Sequence, residues 1–535
     1  MSGPRVRFAP APSGWLHVGS VRTALYNWLH AQGNDGTFIF RIEDTDAERA
    51  TDESMRSMLE GMGWLGISVD EGVTLAEDGS VVEVGAHGPY RQSSRKTLHA
   101  AVARRLEAAG HLYADDRTPD ELDAWRTAQR EAGLPPIVKQ VDVPAPTGDR
   151  PATLRLALPT EGSITVHDEV RGDITWEWAN ESDPVLVRSN GAVTYPLANS
   201  TDDVAQGVSL ICRGDDLLSV TPRQVHLYGL LLANGLIDEA LAEVGLPARD
   251  PSWGAPSSFA HLSMIVGADR KKLSKRHGSV AIQSFRDRGF LPDVLLNYVS
   301  LLGWAPSDGT ERLTRDELVA KFDLATVGSS AAMFDTDKLT AFNGERIREM
   351  DAALLTEQLL PFLDGSRPQV APEPGADGAE QWIAYPPLTT QPATPAQHTV
   401  VAGLVPLVQE RMQRLDEVRA YAGPFLTDTI SIDLVGAAKV LRKAGGAQLL
   451  RQASAMLPTI TWDLASIDAA LRALAEEQGV GFGKLAQPIR VAVTGTTVSP
   501  PLFESMELIG QERCLARIEQ AIEVFEAAAA AAAAG

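Results

Sequence analysis

Apolar and polar positions alternate between two periods over the first 110 residues. Residues 6–9 and 37–42 are short apolar runs rich in β-formers, which predicts buried strands. Between them Val21, Ala24, Leu25, Trp28 and Leu29 fall at i, i+3, i+4, i+7 and i+8, a single apolar stripe that predicts a helix over 19–30. Met55, Met58, Leu59 and Met62 mark a second helix. Strand, helix, strand, helix implies βαβ units on a parallel sheet, hence an α/β fold. The pattern then breaks. Residues 88–183 are rich in Pro, Asp and Thr, with strands predicted at 154–158 and 164–167. Residues 185–188 and 192–195, joined through Ser189-Asn190-Gly191, predict a hairpin with Asn-Gly in the turn. This stretch reads as an insertion. The α/β pattern resumes with a strand over 207–212 and a helix opened by Thr221-Pro222-Arg223-Gln224. There threonine can cap, proline fits the first turn and glutamine completes a capping box. Val225, Tyr228, Leu231 and Leu232 would be its inner face.

Beyond about 335 the strand signal fades. Seven prolines in 365–400 predict a linker, and helical spacing marks 401–421, 434–456, 464–478 and 511–526. Residues 527–534 are all alanine, which favours helix but has nothing to pack with.

Composition narrows the class. A length of 535 residues at roughly 150 per domain suggests three or four domains. No apolar run approaches the roughly 18 residues of a membrane span. The first nine residues hold no apolar core of a signal peptide, so a cytoplasmic protein is expected, although an organellar protein after presequence removal would read the same. Two cysteines, Cys212 and Cys514, exclude a disulfide framework and a Cys-rich zinc site. The net charge is −22, so an anionic partner must dock on a locally basic face.

Three segments could place chemistry at the carboxyl ends of strands, where open α/β sheets bind ligands. In Pro12-Ser13-Gly14-Trp15-Leu16-His17-Val18-Gly19-Ser20, His17 precedes a helix whose amino terminus attracts phosphate, and Gly19 would admit a planar base. The same His17 also suits a capping or packing role. Arg41-Ile42-Glu43-Asp44-Thr45-Asp46 crowds three carboxylates after the second strand, fit either to bind an ammonium group or to form a solvated acidic turn. Arg270-Lys271-Lys272-Leu273-Ser274-Lys275-Arg276 is a cationic loop that could neutralise developing phosphate charge, or simply be solvated. Gly61-x-Gly63-x-x-Gly66 follows a helix instead of a strand, so it reads as a helix-ending turn and not as a dinucleotide fingerprint.

Taken together these motifs resemble the bacterial-type glutamyl-tRNA synthetases, class I aminoacyl-tRNA synthetases. His17-Val18-Gly19-Ser20 is similar to the family's His-Ile-Gly-His signature, and Lys272-Leu273-Ser274-Lys275-Arg276 to its Lys-Met-Ser-Lys-Ser loop. Arg7-Phe8-Ala9-Pro10, Thr194-Tyr195, Leu197-Ala198-Asn199, Asp202-Asp203, Arg213-Gly214 and the run Gly483–Arg490 also fit, in order, over nearly the whole chain. The resemblance implies a Rossmann-like catalytic domain over 1–88 and 190–246, an inserted α+β acceptor-binding domain at 89–189 and a stem-contact domain at 247–335. All-helical anticodon-binding modules would occupy 336–400 and 401–535.

The resemblance also implies the reaction. Glutamate and ATP form glutamyl-adenylate, and the acyl group passes to the terminal adenosine of tRNA(Glu); charging of tRNA(Gln) stays open. Arg7 and Arg213 would meet the side-chain carboxylate and Glu43 the ammonium group, with Ala9, Tyr195 and Asn199 lining the pocket. His17, Gly19, Ser20, Lys272, Lys275 and Arg276 would hold ATP and its transition state, and Mg²⁺ would arrive mostly on phosphates and water. Arg411, Arg414, Arg442 and Lys443 would face the anticodon, with an Arg near Arg411 reading its third base, unless these are ordinary solvated helix positions. Three departures stand out: Ala11 replaces a common serine, Ser20 replaces the last histidine of the first signature, and the region near His111 lacks the cysteines that bind zinc in some members. No structural zinc is therefore expected, and a monomer is the family expectation. Three alternatives compete: a tRNA-modifying relative lacking the anticodon-binding half, a glutaminyl enzyme ending in β-barrels, and a catalytically silent tRNA-binding protein. The helical carboxy-terminal pattern and the presence of His17, Lys275 and Glu43 weigh against all three.

Overall fold

Arg5–Phe8 (β1) opens the fold because Val6 and Phe8 point to one face and are buried, while Arg5 and Arg7 point to the other. The computed structural model describes residues 3–12, 16–44, 52–273, 280–370, 382–432 and 445–534. The chain divides into two units, 1–283 with 295–335, and 284–294 with 336–535.

The first unit is built on an eight-stranded sheet. Its strands are β1, β2 (Thr37–Phe40), β3 (Glu71–Leu75), β4 (Val81–Val84), β7 (Ser163–Asp168), β8 (Gly172–Glu177), β10 (Leu210–Gly214) and β11 (Ser258–Leu262). They lie in the order β4-β3-β2-β1-β10-β11-β7-β8. The six inner strands, β3 to β7, are parallel, and an antiparallel strand closes each edge. Helix α1 (Val18–Gly33) packs on this sheet through Val21, Ala24, Leu25 and Trp28, the stripe legible in the sequence. Helix α2 (Asp52–Trp64) ends in a turn closed by Gly66 at φ +68°, a left-handed backbone that favours glycine. The glycine string overlaps the helix end instead of following it: Gly61 and Gly63 are helical, and Gly66 alone makes the stop.

The inserted stretch is less separate than its composition suggests. Strands β5 (Leu112–Asp115), β6 (Thr153–Leu156) and β9 (Val185–Val187) form a sheet of their own beside α3 (Lys96–Ala108) and α4 (Pro119–Glu131). The hairpin β7–β8, however, joins the main sheet by parallel pairing of Phe259 with Asp168. Two local readings change. The turn at Ser189-Asn190-Gly191 forms, but its second arm is one bridge, Val187 to Val193, because Tyr195–Ala205 (α5) starts immediately. Helix α6 (Thr221–Leu232) has Val220 as its first cap residue, with no side-chain cap and no capping box. Thr221 and Gln224 point inward, and Leu227 takes the buried place expected of Val225.

The second unit is helical in its described core. Helices Pro395–Val408, Gly446–Met456, Leu464–Glu477, Phe482–Thr494 and Gln511–Ala534 bury Leu404, Leu450, Leu471, Ile489 and Ile518. The single helix expected over 401–421 is instead interrupted between Val408 and Val418 by two short 3-10 turns. No helix among the described residues is long and apolar enough to cross a membrane.

Candidate active site

The parallel strands all present their carboxyl ends at one edge, so residues distant in sequence meet there. Arg7 lies in β1, Arg41 and Glu43 follow β2, Arg213 lies in β10 and His261 in β11. The backbone of Glu43 donates to Pro10 at 3.0 Å, which holds the segment after β2 beside Ala9.

A continuous hydrogen-bonded line joins these groups. Arg213 Nη1 donates to Gln224 Oε1 at 2.7 Å, and Gln224 Nε2 to Asn199 Oδ1 at 3.1 Å. Asn199 Nδ2 donates to Glu43 Oε1 at 2.5 Å. Arg41 Nη2 sits 3.2 Å from the same oxygen and 2.8 Å from Asp203 Oδ1. Arg7 Nε donates to that aspartate at 3.1 Å, and Tyr228 donates its hydroxyl to Oδ2 at 3.1 Å. Burial raises the Glu43 pKa, partly offset by Arg41 and the Asn199 hydrogen bond. Tyr195 faces Glu43, Arg213 and Arg7 from the start of α5, and burial pushes its hydroxyl up to about 12.

Electrostatic balance separates the two arginines expected to hold a carboxylate. Arg7 is neutralised by Asp203, with both side chains buried. Arg213 is also buried, but its partners are Gln224, the Leu217 carbonyl, Thr221 and His261, all uncharged when the histidine is neutral. A buried guanidinium without a carboxylate is costly unless a ligand supplies one. Its free charge and the acceptor-rich Glu43 lie along one line, which suits a ligand carrying both an anion and a cation.

The edge expected to hold a nucleotide is built from two chain crossings. His17 caps α1, its Nδ1 accepting from Ser20 N at 3.2 Å. A Cβ on Gly19 would come within 3.2 Å of that ring, so glycine keeps the imidazole in place. Residues 16–18 pair antiparallel with 280–282, Val18 N donating to Val280 O and Ile282 N to Leu16 O. Lys272 is exposed and bridges to Val266, and Leu273 N donates to Ile265 O. Both described ends of the cationic loop are thus tied down, one of them against the His17 turn. Lys275 and Arg276 lie outside the described residues. The open face of His17 meets solvent, yet the protein behind the ring and then the charge of Lys272 lower its pKa.

The structure therefore brings Arg7, Glu43, Tyr195, Asn199 and Arg213 together, with Ala9 beside them, and pairs the His17-Gly19-Ser20 turn with the chain leaving the Lys272 loop. Of the other acidic candidates, Asp44 accepts from Ser93 N at 2.7 Å and Ser93 Oγ at 2.6 Å, and Asp46 lies outside the described residues. Sequence reasoning assigned no role in the site to Asp203, Gln224, His261 or Asp168. Asp202-Asp203 carried a signal, two adjacent acids inside a helix with no other charged residue. Gln224 was read only as a cap, and a lone histidine in an apolar strand carried none. In the second unit Arg411 Nη1 donates to Ser499 O at 3.2 Å, and Arg490 also bonds Ser499 through Nη1. Arg414 is tied to Asp416 and Glu417, and Arg442 and Lys443 lie outside the described residues. Among the described residues no group of three or more His, Cys, Asp or Glu side chains could hold a metal ion.

Comparison with known proteins follows this geometry. The model described as tRNA synthetases class I (E and Q), catalytic domain, matches residues 4–235 and 252–341. That described as an anticodon binding domain matches 355–522. A glutamate–tRNA ligase of Moorella thermoacetica is 37% identical over 530 residues, covering 97% of this chain and 98% of its own. One from Kineococcus radiotolerans is 39% identical over 529 residues, covering 96% of each. Among solved structures, a glutamate tRNA ligase of Elizabethkingia meningosepticum in complex with its amino acid superposes with a TM-score of 0.75 at 27% identity, covering 97% of this chain and 99% of that one.

Proposed function

The chain belongs to the class I tRNA synthetases for glutamate and glutamine, and from that premise we propose that it joins L-glutamate to the 3′ end of tRNA(Glu) through a glutamyl-adenylate formed from ATP. The observation that carries the glutamate reading is Arg213, a buried guanidinium whose partners among the described residues include no carboxylate. A γ-carboxylate completes it with charge-assisted bonds, whereas a glutamine amide leaves its charge unmet. The ammonium group is held at Glu43, whose Oε1 is taken by Asn199, Arg41 and Gln92 while Oε2 bonds no described residue. Tyr195 and Arg7 close the pocket, Arg7 with its charge already balanced by Asp203.

ATP lies across the start of α1. His17 and the amino-terminal backbone of that helix face the phosphates, with Gly19 beneath the base, and the charges of Lys272, Lys275 and Arg276 serve to neutralise them. The glutamate α-carboxylate attacks the α-phosphorus and pyrophosphate leaves. No side chain is needed as nucleophile; alignment and positive charge at the transition state lower the barrier. Mg²⁺ comes with the triphosphate, held mostly by phosphates and water. The helical unit reads the anticodon loop, with Arg411 as a candidate contact, and the enzyme works as a cytoplasmic monomer. Side-by-side aminoacylation of purified tRNA(Glu) and tRNA(Gln) with glutamate, with ATP–pyrophosphate exchange run with and without tRNA, tests this. Exchange without stable charging, or no exchange at all, overturns it.

A further inference from the structure

Three neighbouring strands carry a relay that ends on the glutamate-binding arginine. Asp168 closes β7, His261 lies in β11 and Arg213 in β10, and the last two are direct cross-strand partners. All three side chains are buried. Asp168 Oδ2 lies 2.6 Å from His261 Nδ1, and His261 Nε2 lies 3.1 Å from Arg213 Nε.

The proton positions follow from the donors. A guanidinium Nε can only donate, so His261 Nε2 must carry the lone pair. The ring proton then sits on Nδ1 and is donated to Asp168. The aspartate is fixed in turn by backbone donors, Val170 N and Arg171 N at 3.0 Å and His261 N at 3.1 Å. It cannot rotate away, and as a carboxylate it offers Nδ1 only an acceptor. A protonated ring would set an N–H against the Arg213 N–H and place a second cation beside it. A carboxylate at 261 would hold Arg213 equally well but would cancel its charge. A neutral imidazole of fixed tautomer orients the guanidinium and leaves its charge for the ligand.

We propose that Asp168 and His261 are positioning residues that orient Arg213 while leaving its charge uncompensated, and so set the preference for glutamate over glutamine. This rests on the reading of Arg213 as the γ-carboxylate ligand. Two substitutions divide the ring between them. His261→Gln keeps an acceptor where Nε2 lies and gives up the Asp168 contact; His261→Asn keeps the Asp168 contact and gives up the acceptor. Glutamate-dependent ATP–pyrophosphate exchange in the full chain with tRNA present, with glutamine as competing substrate and a thermal midpoint for each variant, gives the readout. With one hydrogen bond to a buried charge removed, His261→Asn raises KM for glutamate by roughly ten- to a hundredfold. It also narrows the glutamate/glutamine ratio, while KM for ATP stays within about twofold, since no ATP contact is touched. His261→Gln, which keeps the acceptor and loses only the Asp168 anchor, raises KM for glutamate by less than His261→Asn does. An unchanged glutamate KM and ratio in His261→Asn overturns the inference alone. So does a loss spread equally over glutamate and ATP, or, should His261→Asn not fold, a His261→Gln as impaired as a full loss. A wild-type chain that activates no glutamate overturns the functional reading itself.

Discussion

Asn199 donates to Glu43 across 2.5 Å, joining the first turns of α5 to the segment after β2, 156 residues away. The bond takes one oxygen of the carboxylate and leaves the other toward the pocket. Asn199→Ala removes this donor and the partner of Gln224 at once. It is expected to raise KM for glutamate by about tenfold or more, the usual scale for a hydrogen bond to a charged group. Steady-state exchange kinetics with varied glutamate and saturating ATP measure it, and an unchanged KM removes Glu43 from the ammonium site.

Asp203 is the counter-charge of two buried guanidiniums, 3.1 Å from Arg7 and 2.8 Å from Arg41. Asp203→Ala leaves Arg7 without its carboxylate and Arg41 with Glu43 alone, and is expected to cost about 3–5 kcal/mol, read from the urea midpoint. Conservative Asp203→Asn should cost less while still raising KM for glutamate.

Stability should fall in acid for a related reason. Burial opposes ionisation of Asp203, and the charges of Arg7 and Arg41 overcome it, so its folded pKa lies below the ordinary value. Asp115 is likewise desolvated, yet hydrogen bonds from Arg117 and Arg155 hold it at about 2. A depressed carboxylate contributes its stability fully above its unfolded pKa of about 3.9 and loses it as pH falls through the folded one. Unfolding free energy should therefore drop between about pH 4 and pH 2, beyond what Asp203→Asn shows over the same range; equal slopes would remove Asp203 from the account.

His17 has separable roles as helix cap and phosphate ligand. Asn also caps well, so His17→Asn should keep the thermal midpoint while lowering kcat of adenylate formation by roughly a hundredfold, the scale of one lost transition-state donor. His17→Ala should lose the same activity and also about 1 kcal/mol of stability from the cap. Equal kcat in His17→Asn and wild type would confine the residue to capping.

Arg411 carries no carboxylate partner among the described residues, in contrast to Arg414. Arg411→Ala is expected to raise KM for tRNA several-fold and leave KM for glutamate unchanged. If the side chain meets phosphate, the salt dependence of tRNA binding should also fall by about one unit of slope.

What could be read along the chain was whatever repeats at short range. The stripe of α1, the runs that became β1 and β2, the glycine stop after α2 and the helical spacing near the carboxyl end all follow from the 3.6- and 2-residue periods, which neighbouring residues set. The ordered motifs placed Arg7, His17, Glu43, Tyr195, Asn199 and Arg213 in one functional set before any coordinates. Local pattern misled where a side chain had a distant use. Thr221 and Gln224 have the spacing of a helix cap, yet both turn inward to Arg213, because a buried guanidinium gains more from two fixed acceptors than a helix end gains from a cap that water can replace. Which arginine keeps its charge was beyond the sequence altogether. Arg7 and Arg213 are alike as strand-end cations; the packing of α5, which sets Asp203 beside one, and the strand order, which sets His261 beside the other, made them different. Charge balance in a buried site is a property of neighbours in space, and the tertiary packing of sheet and helix chose them.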